Sequence, residues 1–394
     1  MSSLLIVNIG GLITGDLADP HSAATNIYVE DRVIAEIDSR RDDADTIIDA
    51  NGLLATPGLI DTHVHPTFGD FTPTQNSVGW MQAYLHGGVT SLVSAGELHV
   101  PGLPLDPPDA QLFKYLAVLA RKCSQNLPWQ APRLYGGTLL LASGLEQGDF
   151  DEIAEAGVGC VKFIFYPYGD NDAEAENYVR WCNERDIVVK IHSGGVSRSG
   201  VSRPAGLDVV RQIKPDIVGH IAGGPIPMPP DEMAEIVTST DAYLEIATGG
   251  SFKAALNLME TVSQVGAHDR VILGTDTPSG TGVTPRAMLR NVALLASLGG
   301  VSPETALCMA TGNASIAHRL EPGFLVEGRP ADILLMGRIQ GSVGEDTLSC
   351  LAIGDIPGIS MIIVGGQVVV GGRSEQTPPP AVRASFAKGG AAWQ

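Results

Sequence analysis

The chain has 394 residues, 44% of them hydrophobic and 18% charged, with a formal net charge of −19. Its length suits an α/β barrel of roughly 200–250 residues plus one smaller module better than several equal domains. So acidic a chain repels polyanions, which excludes nucleic acid as a partner. No apolar run approaches the roughly 18 residues of a membrane span, so no membrane association is expected.

Five cysteines, an odd number, lie far apart without a C-x-x-C pair. That speaks against a disulfide scaffold or a zinc ribbon and for a reducing compartment. The first residues lack the cationic segment of a secretory leader, so a cytoplasmic location is expected.

In chain order, residues 4–9, 26–30, 32–37 and 46–49 form β-branched or alternating runs, punctuated by Asp19-Pro20, Asp31 and Asn51-Gly52. They predict a small antiparallel β module. Past Pro57, apolar runs of strand length alternate with longer amphipathic stretches. Strands are predicted over 59–65, 90–95, 133–139, 159–165, 187–192, 217–221, 243–247 and 271–276. Helices are predicted over 111–122, 173–184, 231–238 and 285–298. Eight such repeats are the signature of a (β/α)₈ TIM barrel, here over 57–319. A last helix runs from 303 toward 317. β texture then returns over 328–331, 332–336, 361–364 and 367–370. Both chain ends therefore read alike, and residues 1–56 and 320–394 are expected to form one small β-sandwich domain built from both termini. The tail over 376–394 is expected to be loose or to lie over a neighbour.

Catalytic groups in such barrels sit at the C-terminal ends of the strands. Those ends carry His63 and His65 on the first predicted strand, Lys162 on the fourth, His192 on the fifth, His220 on the sixth and Asp276 on the eighth. His63 and His65 are spaced i, i+2, so a strand aims both imidazoles to one side. Four imidazoles and a carboxylate gathered in one pocket make a divalent-metal site. Singly, each histidine reads as a hydrogen-bonded core residue and Asp276 as a turn cap; a metal site explains all five together. Lys162 is unfavourable to bury as an ammonium. It is open to a Schiff base, to pairing with Asp276, or to carboxylation. The carbamate is preferred, because it supplies a bidentate anion between two cations about 3.5–4 Å apart.

Three motifs resemble the amidohydrolase superfamily: Pro57-Gly58-Leu59-Ile60-Asp61-Thr62-His63-Val64-His65, His86-Gly87-Gly88-Val89-Thr90 and Met309-Ala310-Thr311-Gly312-Asn313-Ala314. The Gly-rich extensions His192-Ser193-Gly194-Gly195, His220-Ile221-Ala222-Gly223-Gly224-Pro225 and Asp276-Thr277-Pro278-Ser279-Gly280-Thr281-Gly282 are similar to those of its enamidase branch, hydrolases of a cyclic enamide. Gly354-Asp355-Ile356-Pro357-Gly358-Ile359-Ser360 is a weaker echo. The resemblance covers nearly the whole chain. It implies that His63, His65 and Asp276 hold the more buried of two metals and that His192 and His220 hold the more exposed one. The fourth-strand residue bridges them, as a glutamate in some groups and a carboxylated lysine in the hydantoinase and dihydroorotase groups; this chain offers Lys162.

The expected reaction is hydrolysis of an amide or imide C–N bond in a small cyclic substrate. A hydroxide bridging the metals attacks, and Asp276 serves as general base and then acid. Zinc suits the donor set, as do iron, manganese and cobalt. Ser193, Gly194 and Gly195, with Ser279, Gly280 and Thr281, are candidate backbone donors to the substrate. Their plainer reading is that the glycines permit tight turns. Tyr166 is a candidate pocket wall, beside Tyr168. Arg198, Arg203 and Lys190 are candidate anion partners, although Lys190 is equally placed to face the barrel interior. His86 and His99 read as structural. A homo-oligomer acting on a small molecule is expected. Two alternatives stand beside this reading. A deaminase of the same superfamily places an acid shortly after the fifth-strand histidine, where this chain has Ser193-Gly194-Gly195-Val196. A non-catalytic binding barrel would have dispensed with Asp276 or a histidine.

Overall fold

A computed structural model of the chain describes residues 2–66, 79–100, 102–128, 132–197, 200–224, 226–278 and 282–390. Its central part is parallel β-sheet wrapped by helices. One sheet runs from Leu59–Val64 through Val89–Ser94 to Arg133–Tyr135, and a second from Leu139–Leu141 through Cys160–Phe163, Val188–His192, Ile217–Gly219 and Tyr243–Ala247 to Val271–Gly274. Every pairing in both is parallel, and each strand lies beside its successor in the chain. The last strand also meets the first, through a parallel bridge between Val64 and Thr277.

The predicted third strand over 133–139 is broken in two. At the break, Gly137 adopts φ +91°, and a Cβ there would lie 2.3 Å from the carbonyl oxygen of Ala117. Helix Ala110–Gln125 presses so close that only a glycine backbone fits beneath it. The predicted helices appear as Ala110–Gln125, Asp172–Asn183, Pro230–Ser239 and Ala287–Leu298, and the last predicted helix as two, Pro303–Met309 and Gly312–Ala317. Apolar strand residues such as Val161, Val189, Val218 and Leu244 pack with Ile153, Ala175, Val210 and Ile236 of the helices in one large core.

Both termini contribute to two further sheets. One has the order Ser385–Lys388, Thr46–Asp49, Ser3–Val7, Ile27–Glu30, Val33–Ile37; the other has Gln367–Val370, Gly358–Val364, Ile333–Gly337, Leu54–Pro57, Gly11–Ile13, His21–Ser22. Ile6, Val29 and Ile48 of the first share an apolar core with Leu12, Ile333 and Ile363 of the second. Three expectations are corrected here. The N-terminal module is not purely antiparallel: Ser3–Val7 pairs parallel with Thr46–Asp49, and Gly11–Ile13 with Leu54–Pro57. Residues 328–331 form no strand; Pro330 makes a single bridge to Val33. Within the described part of the tail, Ser385–Lys388 is not loose but pairs with Thr46–Asp49. The described cysteines are free thiols, and no described helix is long and apolar enough to cross a membrane.

Leu54–Pro57 runs through Gly58 straight into Leu59–Val64, so the strand bearing His63 is anchored in both parts. Arg133 strengthens that anchor. Its guanidinium grips the buried Asp332 with two bonds of 2.9 and 3.0 Å, a fork geometry worth more than a single ion pair.

Candidate metal centre

His63 lies in the first parallel strand and His65 just beyond its end, both buried. Their ring centroids are 5.1 Å apart; His220 lies 5.2 Å from His63, and His192 4.4 Å from His220. Asp276 enters from the end of the eighth strand. Its Oδ1 is 3.1 Å from His65 Nε2 and 3.6 Å from His63 Nε2. One donor atom each from His63, His65 and Asp276 falls within 4.8 Å of the others. The backbone locks this arrangement: Asp276 N–H donates to His63 O at 2.8 Å, and His65 N–H to Thr277 O at 2.6 Å. The approach depends on Gly274, where a Cβ would meet His63 Cβ at 2.8 Å. Asp276 and His220 both hold positive φ, 59° and 38°, a local strain often found at functional sites.

In three of the four rings a hydrogen bond fixes which nitrogen is free. His63 Nδ1 faces the Glu245 carboxylate at 2.6 Å and His65 Nδ1 faces Gly96 O at 2.7 Å. Neither partner can donate, so both Nδ1 atoms carry the proton and both Nε2 atoms present lone pairs. His192 Nε2 likewise donates to Gly195 O at 3.0 Å, leaving Nδ1 free, and His220 Nδ1 is buried with no hydrogen-bond partner among the described residues. Burial also holds all four imidazoles below their ordinary pKa, with His192 at about 4, so they are neutral. A lone pair on His65 thus faces a carboxylate oxygen at 3.1 Å with no proton between them. Acceptor against acceptor is repulsive unless a cation lies between, so these residues fit a divalent ion.

Burial would raise the Asp276 carboxyl, but its contact with His65 and the neighbouring His63 hold it well below the usual carboxylate range. Lys162 Nζ sits 2.9 Å from His63 Nε2, fully inside. Burial first, then the ammonium of Lys190 in register on the next strand, lowers it to about 8.

Glu245, on the seventh strand, escapes the sequence reading. It accepts from His63 Nδ1, from Thr62 Oγ1 at 2.7 Å, from Lys190 Nζ at 2.5 Å and from the backbone N–H of His220 at 3.0 Å. Such an outer partner fixes ring orientation and tautomer. The available signal was a lone acid inside the apolar run Tyr243-Leu244-Glu245-Ile246-Ala247. Asp61 was also missed; it accepts from Thr275 Oγ1 at 2.6 Å and from the N–H groups of Thr275 and His63, tying the first strand to the eighth.

The candidate substrate contacts fare differently. Ser193 Oγ donates to Gly219 O at 2.8 Å, Gly194 N–H to Ala205 O and Gly195 N–H to Ile226 O. The N–H donors of Gly194 and Gly195 are spent on the scaffold, which corrects the expectation that they face substrate; for Ser193 it is the hydroxyl that is engaged. The Tyr166 hydroxyl donates to Asn171 O and Glu174 rather than into the pocket. Lys190 faces the interior, toward Glu245 and Thr62 O, and is no substrate anion partner. Ser279, Gly280, Thr281 and Arg198 lie outside the described residues. His86 Nδ1 accepts from Glu375 N–H, and the His99 ring lies 6.0 Å from that of His65.

No protein-family model matches the chain. Among characterised proteins it is 40% identical to enamidase of Eubacterium barkeri over 383 residues, 96% of this chain and 98% of that one. It is 28% identical to adenine deaminase 2 of Agrobacterium fabrum, over 86% of this chain and 55% of that longer protein. Among solved structures, enamidase, described as a member of the amidohydrolase superfamily, superposes with a TM-score of 0.92 at 39% identity, covering 98% of this chain and 100% of that one. A triazine hydrolase variant superposes at 0.59 with 18% identity, covering 96% of each chain; at that identity the likeness extends to the fold alone.

Proposed function

We infer, from the premise that this chain belongs to the amidohydrolase superfamily as a relative of enamidase, that it is a metal-dependent hydrolase of a C–N bond in a small cyclic substrate. The observation that carries the reading is the His65 lone pair that faces the Asp276 carboxylate with no proton to separate them, with His63 alongside.

His63, His65 and Asp276 would hold one divalent cation, His192 and His220 a second, and a carboxylated Lys162 both. Zinc leads the candidates, followed by iron, manganese and cobalt. When bound, such cations polarise a carbonyl and lower the pKa of water. The protein's own groups do the rest. Asp276, ionised at neutral pH, accepts the proton of the attacking water and returns it to the leaving nitrogen. Glu245 holds His63 in the tautomer that keeps Nε2 free. Lys162, lowered to about 8, exposes a free amine to carbon dioxide far more often than an ordinary lysine does. Ser279, three residues after Asp276 in the sequence and outside the described residues, is the candidate substrate contact.

The parallel order, with last strand bridged to first, supports a closed (β/α)₈ barrel over 57–319. The two terminal sheets with their common core support a composite β-sandwich from 1–56 and 320–394. A cytoplasmic homo-oligomer completes the proposal.

The adenine deaminase relatives raise a second reading, deamination. Against it, no acid follows His192 within the next four residues, and those relatives match over about half their length. Purified protein assayed against cyclic enamides, lactams, imides and hydantoins, and against adenine, with ring opening and ammonia followed separately, distinguishes the two. Ring opening is expected in the cyclic panel, and a cyclic enamide then also yields ammonia, because the enamine freed by C–N cleavage tautomerises to an imine that water hydrolyses. Ammonia from the exocyclic amine of adenine, with no ring opening in the panel, would overturn the proposal.

A further inference from the structure

A cavity of about 300 Å³ lies away from the candidate metal centre. Gly159 and Cys160 at the start of the fourth strand and Asp186 just before the fifth line it, whereas His192 ends that fifth strand. The cavity is thus reached from the edge opposite the candidate metal centre.

Two nitrogens in it lack hydrogen-bond partners among the described residues. His318 is 7% exposed, and its Nε2 is buried with no hydrogen-bond partner; Arg121 Nε is also buried and unpartnered among the described residues. Burial draws the Arg121 guanidinium below its ordinary value, and the titratable neighbour that bears on it is the Tyr135 hydroxyl rather than a carboxylate. A cation left half-buried without a counter-ion, beside an orphaned imidazole nitrogen, is unfavourable unless an anion accepts from both. Tyr135, pushed up to about 12 by burial, stays protonated on the same wall.

The acids of the cavity sit at its mouth. Asp186 is largely exposed and pairs with Arg319 at 3.0 Å, and Glu321 is exposed. They leave the deeper Arg121 unneutralised and oppose the entry of a doubly charged ion. The volume is at the lower end of ligand pockets, enough for a small molecule.

We propose that this cavity is a binding site for a small monocarboxylate, whose two oxygens accept from Arg121 and from His318 Nε2–H. Planar carboxylate matches the guanidinium fork, and the apolar remainder of the ligand lies along Val93 and Leu320.

The test uses the metal-loaded full chain, labelled with ¹⁵N-histidine, titrated with acetate and separately with sulfate at constant ionic strength. His318→Gln identifies the His318 ring signals. Acetate is expected to shift those signals saturably and sulfate to leave them unchanged. Arg121→Met is expected to weaken acetate binding at least tenfold while leaving turnover intact. Arg121→Lys, which keeps the charge but loses the fork, is the second variant and is expected to weaken binding in the same direction. The proposal is overturned by the absence of a saturable His318 shift, by a shift that survives both Arg121 substitutions, or by equal shifts with sulfate. Acetate bound at the metals instead would move His192 and persist in Arg121→Met.

Discussion

At the scale of single residues, the candidate centre is defined by where protons are not. Gly96 O and Glu245 take the Nδ1 protons of His65 and His63, and Gly195 O takes the Nε2 proton of His192. The free nitrogens of these three rings and Asp276 are left as acceptors. Asp276→Asn keeps shape and one acceptor oxygen but removes the proton carrier. It is expected to retain most of the bound metal and to lose roughly 10²–10⁴ in kcat, the usual contribution of a general base; metal analysis beside steady-state kinetics checks this. Glu245→Ala leaves the Lys190 ammonium buried without its counter-ion. The expected loss is about 3–5 kcal/mol of stability, as for other broken buried pairs, with metal affinity down roughly 10–100-fold. Denaturant unfolding and chelator competition measure both, and native values for the variant would remove Glu245 from the account. The convergence of His63, His65 and Asp276 is legible in the sequence because strand periodicity and strand ends fix direction. Glu245 is harder to read, since one acid in an apolar strand reveals neither its face nor its partners. Gly194 and Gly195 mislead for a related reason: whether a loop N–H is free depends on Ala205 and Ile226, remote carbonyls that local pattern cannot locate.

At the scale of elements, helix Ala110–Gln125 illustrates how one segment is held on two sides. Its underside rests on Gly136-Gly137, which breaks the third strand. Its flank carries Lys114, whose Nζ reaches Asp149 and Glu152, each at 2.7 Å, on helix Gln147–Glu155. Burial alone would raise the Asp149 carboxyl, yet the Glu146 N–H and the Lys114 ammonium hold it below its ordinary value. A carboxylate with a depressed folded-state pKa contributes stability above its unfolded pKa, about 3.9, and loses it as pH falls through the lower folded value. Asp149→Asn is therefore expected to destabilise by about 1.5–3 kcal/mol at pH 7, with the difference from the native chain shrinking below pH 4. Thermal unfolding across that range tests it, and a pH-independent difference would contradict it. Alternation of βα segments made the parallel strands legible. The direction of the terminal strands was not, because Ser3–Val7 has the same side-chain alternation whether its neighbour runs parallel or antiparallel. The pairing of Ser385–Lys388 with Thr46–Asp49 joins residues too distant in sequence for any local signal.

At the scale of the whole molecule, the net charge of −19 coexists with a core that gathers cations. Lys162 and Lys190 lie side by side inside, and their mutual repulsion is relieved by Glu245 for one and, on the proposed reading, by carboxylation for the other. The terminal sheets feed Leu54–Pro57 directly into the strand of His63, so the smaller part and the centre share one covalent support. The measurement that tests the account most directly is elemental analysis of the purified protein, coupled to cyclic-amide hydrolysis before and after chelation. The account predicts about two divalent ions per chain, loss of turnover when they are stripped, and its return when they are restored. A metal-free chain that opens the ring at the full rate would contradict it.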